Sequence, residues 1–501
     1  MLAATVPTRS GHNPSDHIPS ISLLILCNPS PWSPIASRYH KLHALCEVLD
    51  APGQPVRLLK MSWILALGAG TEPVLQRRQE LPEEAFVPTE QLVAWFDGRK
   101  TEQRGSGRLD DGLLPILVMS YVWLTPNHPD PHGQQLRLVC ETMEREAEKY
   151  RAYGYPDMAV FWDFASLHQK DPMRWDPCVL EKDEKLTESQ RKLKAGYEES
   201  RGADESAAFH TALKTMHIWY AHRCTTVYFL TRLPMGWEHI KTYHLRGWPT
   251  FEHRLSALVK CFRLKVAGWT LCMDLGSESQ EATQAMPTAG NDFSLEVTTK
   301  QFTNNSDSTV VATLYSECAS EVLKSMEDQD YEGCTISPAG AKALGGALQL
   351  CINLRSIDLR STQLNDLCMA NMCERLEAGM LSRLINLSLN NNFITRHGLE
   401  AFSEALTLGA MPNLRKLDLE RNPLGTAQPL IHAFGNGAAM RLCHLDVSHT
   451  GLQDDDAIGF TELLDRGRLH ALRALRVTGN DFSSNAHAEL RSSLVCSGAT
   501  D

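Results

Sequence analysis

The sequence predicts an α/β protein in two parts, a parallel-sheet module followed by a stack of strand–helix repeats. Three observations carry this. An apolar spacing recurs between Leu354 and Phe482 with steps of 28–30 residues. Between Leu114 and Lys260, short apolar runs alternate with segments of helical periodicity. The composition of the 501 residues, 43% hydrophobic and 22% charged, is that of folded domains.

Residues 1–76 are rich in Pro and Ser and read as a poorly defined N-terminal region, with apolar stretches at Ile21–Cys27 and Met61–Gly68. The α/β module is expected over 77–276. It opens with a helix at Thr89–Phe96. The run Leu114–Trp123 has the length and unbroken hydrophobicity of a parallel strand buried on both faces. After the turn Thr125–Gly133, Leu136, Val139, Met143, Ala147 and Tyr150 line one face of a helix. Met158–Phe164 is a second strand, and the highly charged His168–Ser206 reads as a solvated loop. Ala207–His222 is a helix and Thr225–Thr231 a third strand. Arg246–Lys260 carries another helix, with Pro249 in its first turn, where a missing N–H costs nothing. Residues 277–325 read as a linker and a helix, Val310–Leu323, that extend the module.

The repeats occupy 326–495. Leu354, Ile357, Leu359, Thr362 and Leu364 follow the leucine-rich pattern, as do the sets beginning at Leu384, Leu414, Leu442 and Leu472. Tyr331, Cys334 and Ile336 form a degenerate earlier copy. Alternate apolar residues such as Leu417 and Leu419 point inward from a short strand, and Asn422 satisfies backbone groups where that strand turns. His397–Leu408 and Asp454–Leu464 are helices between strands. One unit cannot bury its apolar face alone, so the units stack into an α/β leucine-rich repeat solenoid of the ribonuclease-inhibitor-like kind. Its outward strand positions, Arg355, Asp358, Asn386, Arg415, Asp418, His444, Asp446 and Arg476, make a mixed hydrogen-bonding face suited to a protein partner.

The net charge of −11 offers no basic excess for nucleic acid or an anionic membrane. No run of eighteen apolar residues predicts a membrane span. Fourteen cysteines without a C-x-x-C pair predict reduced thiols in a cytoplasmic protein. No metal is expected: His128 and His132 are four apart but lie in a Pro-rich turn. Phosphate-loop, serine-hydrolase and zinc-protease motifs do not occur.

Four motifs over roughly 115–260 resemble the heterokaryon-incompatibility (HET) domain: Ser120-Tyr121-Val122-Trp123, Asp163 with Gln169, the segment Met216–Leu230, and Arg246–Glu252 (RGWPTFE). That domain is a relative of the Toll/interleukin receptor (TIR) fold, and the same points look TIR-like. The resemblance implies a TIR/HET-like parallel-sheet module that self-associates. It also implies a nucleotide-cleaving alternative, with no cofactor but with NAD as a possible substrate. Glu252 would then be the catalytic carboxylate, and Trp123, Asp163 and Trp248 would bind substrate. Parallel topology puts Asp163 and the Trp123 end of the first strand on one carboxyl edge, with Glu252 facing the same cleft. Each residue also has a plain structural role open to it: Glu252 as a first-turn helix acid, both tryptophans as core, and Asp163 as a cap. Three readings follow, namely an interaction or signalling protein, an assembly-activated enzyme, and a scaffold with an inert module.

Overall fold

A computed structural model describes residues 36–98, 113–176, 186–260, 265–266, 269–276, 285–304 and 306–500. The first sheet contains β1 (Leu58–Lys60), β2 (Phe86–Val87), β3 (Ile116–Ser120), β4 (Ala159–Phe161) and β5 (Thr226–Phe229). β6 (Lys265–Val266) and β7 (Trp269–Thr270) form a separate antiparallel pair, and β8 (Cys272–Asp274) completes the sheet in the order β2-β1-β4-β3-β5-β8. The four strands β4-β3-β5-β8 are parallel. The three expected strands are β3, β4 and β5, and every residue of β3 is buried. The helices Met61–Gly68 and Gln134–Tyr153 pack on each other, as do Ala203–Ala221, Gly247–Ala257 and Asp307–Ser325. These layers cover the sheet and exclude water from its apolar strands.

The structure departs from expectation in four places. The boundary at residue 76 is not a break, because β1 pairs antiparallel with both β2 and β4 and Leu59 is fully buried. Met61–Gly68 is a helix running directly from β1, whereas Ile21–Cys27 lies outside the described residues. β8 is a further parallel strand whose sequence, Cys-Met-Asp, carries no unbroken apolar run. The segment expected as a loop contains a helix, Glu188–Glu198, started by a capping box between Thr187 and Gln190. The stretch expected as a linker, with Phe293–Val297 able to pack, forms a helix there, Gly290–Val297, and its Phe293 is fully buried against Tyr315 at a ring separation of 4.0 Å.

The second sheet has six parallel strands in strict succession: β9 (Asp328–Asp330), β10 (Ser356–Asp358), β11 (Asn386–Ser388), β12 (Lys416–Asp418), β13 (His444–Asp446) and β14 (Ala474–Arg476). A helix follows each strand. The register aligns Ile357, Leu387, Leu417, Leu445 and Leu475 in one inward column, all at least 95% buried. Buried asparagines lock each unit to the one before it. Asn392 accepts from the Thr362 and Leu364 amides at 2.9 and 3.0 Å, and its amide donates to the Leu359 and Leu389 carbonyls at 2.8 Å. Asn422 and Asn480 do the same one and three units on. Thr362 and Thr450 take this position in the other two units and donate to the carbonyls three residues before them.

No described helix is long and apolar enough to cross a membrane. Among the described residues no cysteine is joined in a disulfide, and all but Cys443 and Cys496 are buried.

Leu417→Ala and Leu419→Ala should each cost about 2–5 kcal/mol, because both side chains fill a shared core and would leave cavities. Asn422→Ala should cost about 1–3 kcal/mol by orphaning three buried backbone groups. Urea melts of the three variants check this; unchanged midpoints would contradict the stacked-core assignment.

Candidate functional site

β3 ends at Ser120, beside the point where strand order reverses between β4 and β5, and open α/β sheets bind ligands at this carboxyl edge. The helix Gly247–Ala257 brings Glu252 there. Its packing side is fixed by Phe251 and Leu255, both fully buried. Ser120 Oγ donates to Glu252 Oε2 at 2.5 Å and also contacts the Tyr243 hydroxyl. The Tyr220 hydroxyl lies alongside the Glu252 carboxyl and donates to the Met119 carbonyl at 2.8 Å.

Asp163 follows β4 on the same edge. One oxygen accepts from the Tyr121 hydroxyl and from the Phe164 amide at 2.6 Å, and the other accepts from the Trp123 indole N–H at 3.2 Å. Gln169 donates its side-chain amide to the Asp163 carbonyl at 3.3 Å, so the six-residue spacing of this pair closes a backbone clamp. Thus Glu252, Asp163 and Trp123 share one end of the sheet. Glu252 is 6% exposed, whereas Asp163 and Trp123 are partly buried.

Trp248 belongs elsewhere. Its indole N–H donates to Asp307 at 3.0 Å and its ring packs edge-on against Phe251, so it ties two helices together and does not join the carboxyl cluster. Sequence reasoning passed over Tyr121, Tyr220 and Tyr243 as site residues. Only Tyr121 carried a signal, through its place in the Ser-Tyr-Val-Trp motif.

Electrostatics separate the two carboxyls from ordinary surface acids. Burial pushes Glu252 well above the usual carboxylate range, and the nearby Asp163 charge adds to this against the Ser120 and Tyr220 hydrogen bonds. Burial also raises Asp163, opposed by its Tyr121, Phe164 and Trp123 donors. Glu252 is therefore favoured by burial in its protonated form over the carboxylate. It offers a negative charge only once its burial is relieved.

On the repeat sheet, Asp358, Asp418 and Asp446 fall in one register column with Ser388 and Arg476. Each of the three aspartates accepts from the amide two residues on, at 3.0–3.1 Å. Asp358 is 8% exposed and gripped by Arg360 at 2.7–2.9 Å, so little of it reaches solvent. Asn386 is partly buried, and its side-chain oxygen has no hydrogen-bond partner. Arg355, Arg415, His444 and Arg476 are exposed. Arg355 lies 3.7 Å from Glu327, and Arg476 lies 3.5 Å from Asp446. Two carboxylate triads, Asp330–Glu332–Asp358 and Asp418–Glu420–Asp446, have a spacing that can hold a cation, and Arg360 already neutralises the first.

Ser120→Ala should destabilise the chain by about 1–3 kcal/mol, since it leaves the Glu252 and Tyr243 hydroxyl groups without their shared partner. The pH dependence follows from Glu252. Below its ordinary value of 4.5, folded and unfolded chains both hold the proton, and its contribution is fully present. As pH rises, the unfolded chain releases the proton while the folded chain keeps it, so stability declines. Glu252→Gln, which mimics the neutral acid, should flatten that decline as pH rises above the ordinary value of 4.5. Thermal melts across this range measure it, and an unaltered slope would show that the carboxyl is not held neutral.

Compared with models of known protein families the chain matches none, and no curated protein matches it significantly.

Proposed function

We propose that this chain is an intracellular protein-interaction or signalling protein. In this reading the repeats are a leucine-rich repeat solenoid that binds a protein partner, and the α/β part is a HET/TIR-like module that acts by self-association. The observation that carries the reading is the aligned outer face of β9–β14. Its inward column is apolar in β10–β14 and continues to the buried Gln329 in β9, while the outward columns present mostly charged and polar side chains in register over six strands. A rigid, polar, extended face of this kind suits a protein ligand better than a small molecule.

A second reading, an NAD-cleaving nucleosidase switched on by assembly, is favoured by one specific observation: Glu252 and Asp163 meet on the same carboxyl edge. In that chemistry the nicotinamide–ribose bond breaks through an oxocarbenium-like state that a carboxylate stabilises. Glu252 is closed off by Ser120 and Tyr243, so the activity would require assembly to open this cluster and ionise the acid.

Reversing charge at two outer positions, Asp418→Lys with Arg415→Glu, should leave the melting temperature within about 1 kcal/mol-equivalent of wild type and abolish capture of the native partner from cell extract. Equal capture would make this face idle. Incubating assembled protein with NAD⁺ separates the two readings: loss of NAD⁺ that disappears in Glu252→Gln supports the enzyme, and intact NAD⁺ with wild-type protein leaves the interaction reading alone.

A further inference from the structure

A few residues beyond Asp163, the chain enters a region where arginines and a histidine gather. Arg78 is 6% exposed, yet its guanidinium donates only to the Pro55 and Ser166 carbonyls, at 3.2 and 3.4 Å. Arg201 is partly buried, with its guanidinium carbon 3.8 Å over the Phe209 ring, and it donates to the His168 carbonyl at 3.4 Å. Neither arginine has an ion pair with any described carboxylate. Arg57 completes the group from the β1 side, with its guanidinium 3.8 Å over Phe86 and paired to Glu83 at 2.5 Å.

His168 lies among these arginines. Its Nδ1 is buried without a hydrogen-bond partner and stands 3.6 Å from Glu205 Oε1, beyond hydrogen-bond reach. Burial and the neighbouring Arg78, Arg201 and Arg57 hold His168 down at about 4. Burial and Arg57 lower Arg78 to about 10. Glu205 also caps the 19-residue helix Ala203–Ala221, accepting from the Gly202 amide at 3.0 Å because glycine supplies no side-chain cap. The group therefore combines two unpaired guanidiniums flattened against backbone or an aromatic ring, an orphan imidazole nitrogen, and the positive end of a long helix. Glu205 is the carboxylate that acts on Arg78, His168 and Arg201 alike.

We propose that Arg78, His168 and Arg201, with the amino end of the helix Ala203–Ala221, bind a small phosphate-bearing anion, and that Glu205 is the group this anion displaces. The chemistry favours phosphate over another carboxylate. A tetrahedral dianion accepts from the two guanidinium forks and the helix amides at once, and it offers His168 an oxygen that its present neighbour holds out of reach. Binding a dianion beside the imidazole favours its protonated form, so the protein should take up a proton as the ligand binds.

Isothermal titration of the full chain at low ionic strength, with inorganic pyrophosphate and separately with ADP, tests this. Wild-type protein should bind both, with an apparent enthalpy that varies with buffer ionisation. His168→Gln should remove that buffer dependence, and His168→Gln and Arg201→Gln should each weaken binding about tenfold or more. Glu205→Gln should tighten it, a gain that a misfolded variant cannot mimic. Equal affinity for pyrophosphate and ADP would assign recognition to the phosphates alone, while tighter ADP binding would add contacts to the nucleoside. No binding of either ligand to wild type and Glu205→Gln, or unchanged affinity in His168→Gln and Arg201→Gln, overturns the proposal.

Discussion

The hydrogen bond from Ser120 to Glu252 is the constraint around which the α/β module is arranged. A carboxyl group inside an apolar sheet is expensive unless hydroxyls surround it. β3 supplies Ser120, the helix Ala203–Ala221 supplies Tyr220, and the loop after β5 supplies Tyr243. Three separate elements are thereby tied to one point on the helix Gly247–Ala257. Satisfying Glu252 sets how far that helix slides along the sheet, and hence where Asp163, Tyr121 and Trp123 lie relative to it. Burial at this point also favours the protonated form of the acid over its carboxylate.

The repeat stack solves the opposite problem. Its strands are three residues long, and the turn after each forces the backbone into the left-handed region at Ser361, Asn391, Arg421 and His449, with φ of 54–55°. None of these is glycine, so each turn carries strain of about 1–2 kcal/mol. The next residue offsets it: Thr362, Asn392, Asn422 or Thr450 sits buried and bonds the backbone on both sides of the turn. In the last unit Gly479 takes the strained position at φ 71°, and its missing side chain admits the His449 ring, which would lie 2.2 Å from an added Cβ. Polar side chains inside an apolar stack are thus the reason the strands can turn on a 28–30-residue period.

How much of this was legible depended on the range of the contacts. β3, β4, β5 and the long helices could be read because an unbroken apolar run or a 3.6-residue stripe is a local property. The repeats were legible down to the role of Asn422, because periodicity multiplies a local signal. β1 and β2 were not, since strands of three and two residues are too short to show alternation, and Leu59 finds its partner at Val160, far along the chain. The cluster at Ser120 escaped notice for the same reason: its contacts with Glu252 and Tyr243 span 132 and 123 residues. The error over Trp248 is instructive. Helical spacing puts it on one side with Glu252, but spacing does not reveal that Asp307 claims its indole N–H.

That indole also shows how the two parts of the chain are joined. Trp248 binds the first turn of the helix Asp307–Ser325, and Phe251 faces Phe293 at a ring separation of 6.4 Å. Beside Phe293, Asp292 pairs with Arg375 of the repeats at 2.6 Å. The approach is close enough that a Cβ on Gly346 would meet Asp292 and Arg375 at 2.7 and 2.8 Å. The helix that carries Glu252 into the sheet edge therefore also carries the module onto the first repeats, through packed aromatic rings and one ion pair. Packed interiors of this density shift as units and do not deform piecemeal. A displacement of the first repeats relative to the sheet would therefore be felt at Phe251 and Trp248, which sit within one turn of the acid that Ser120 contacts.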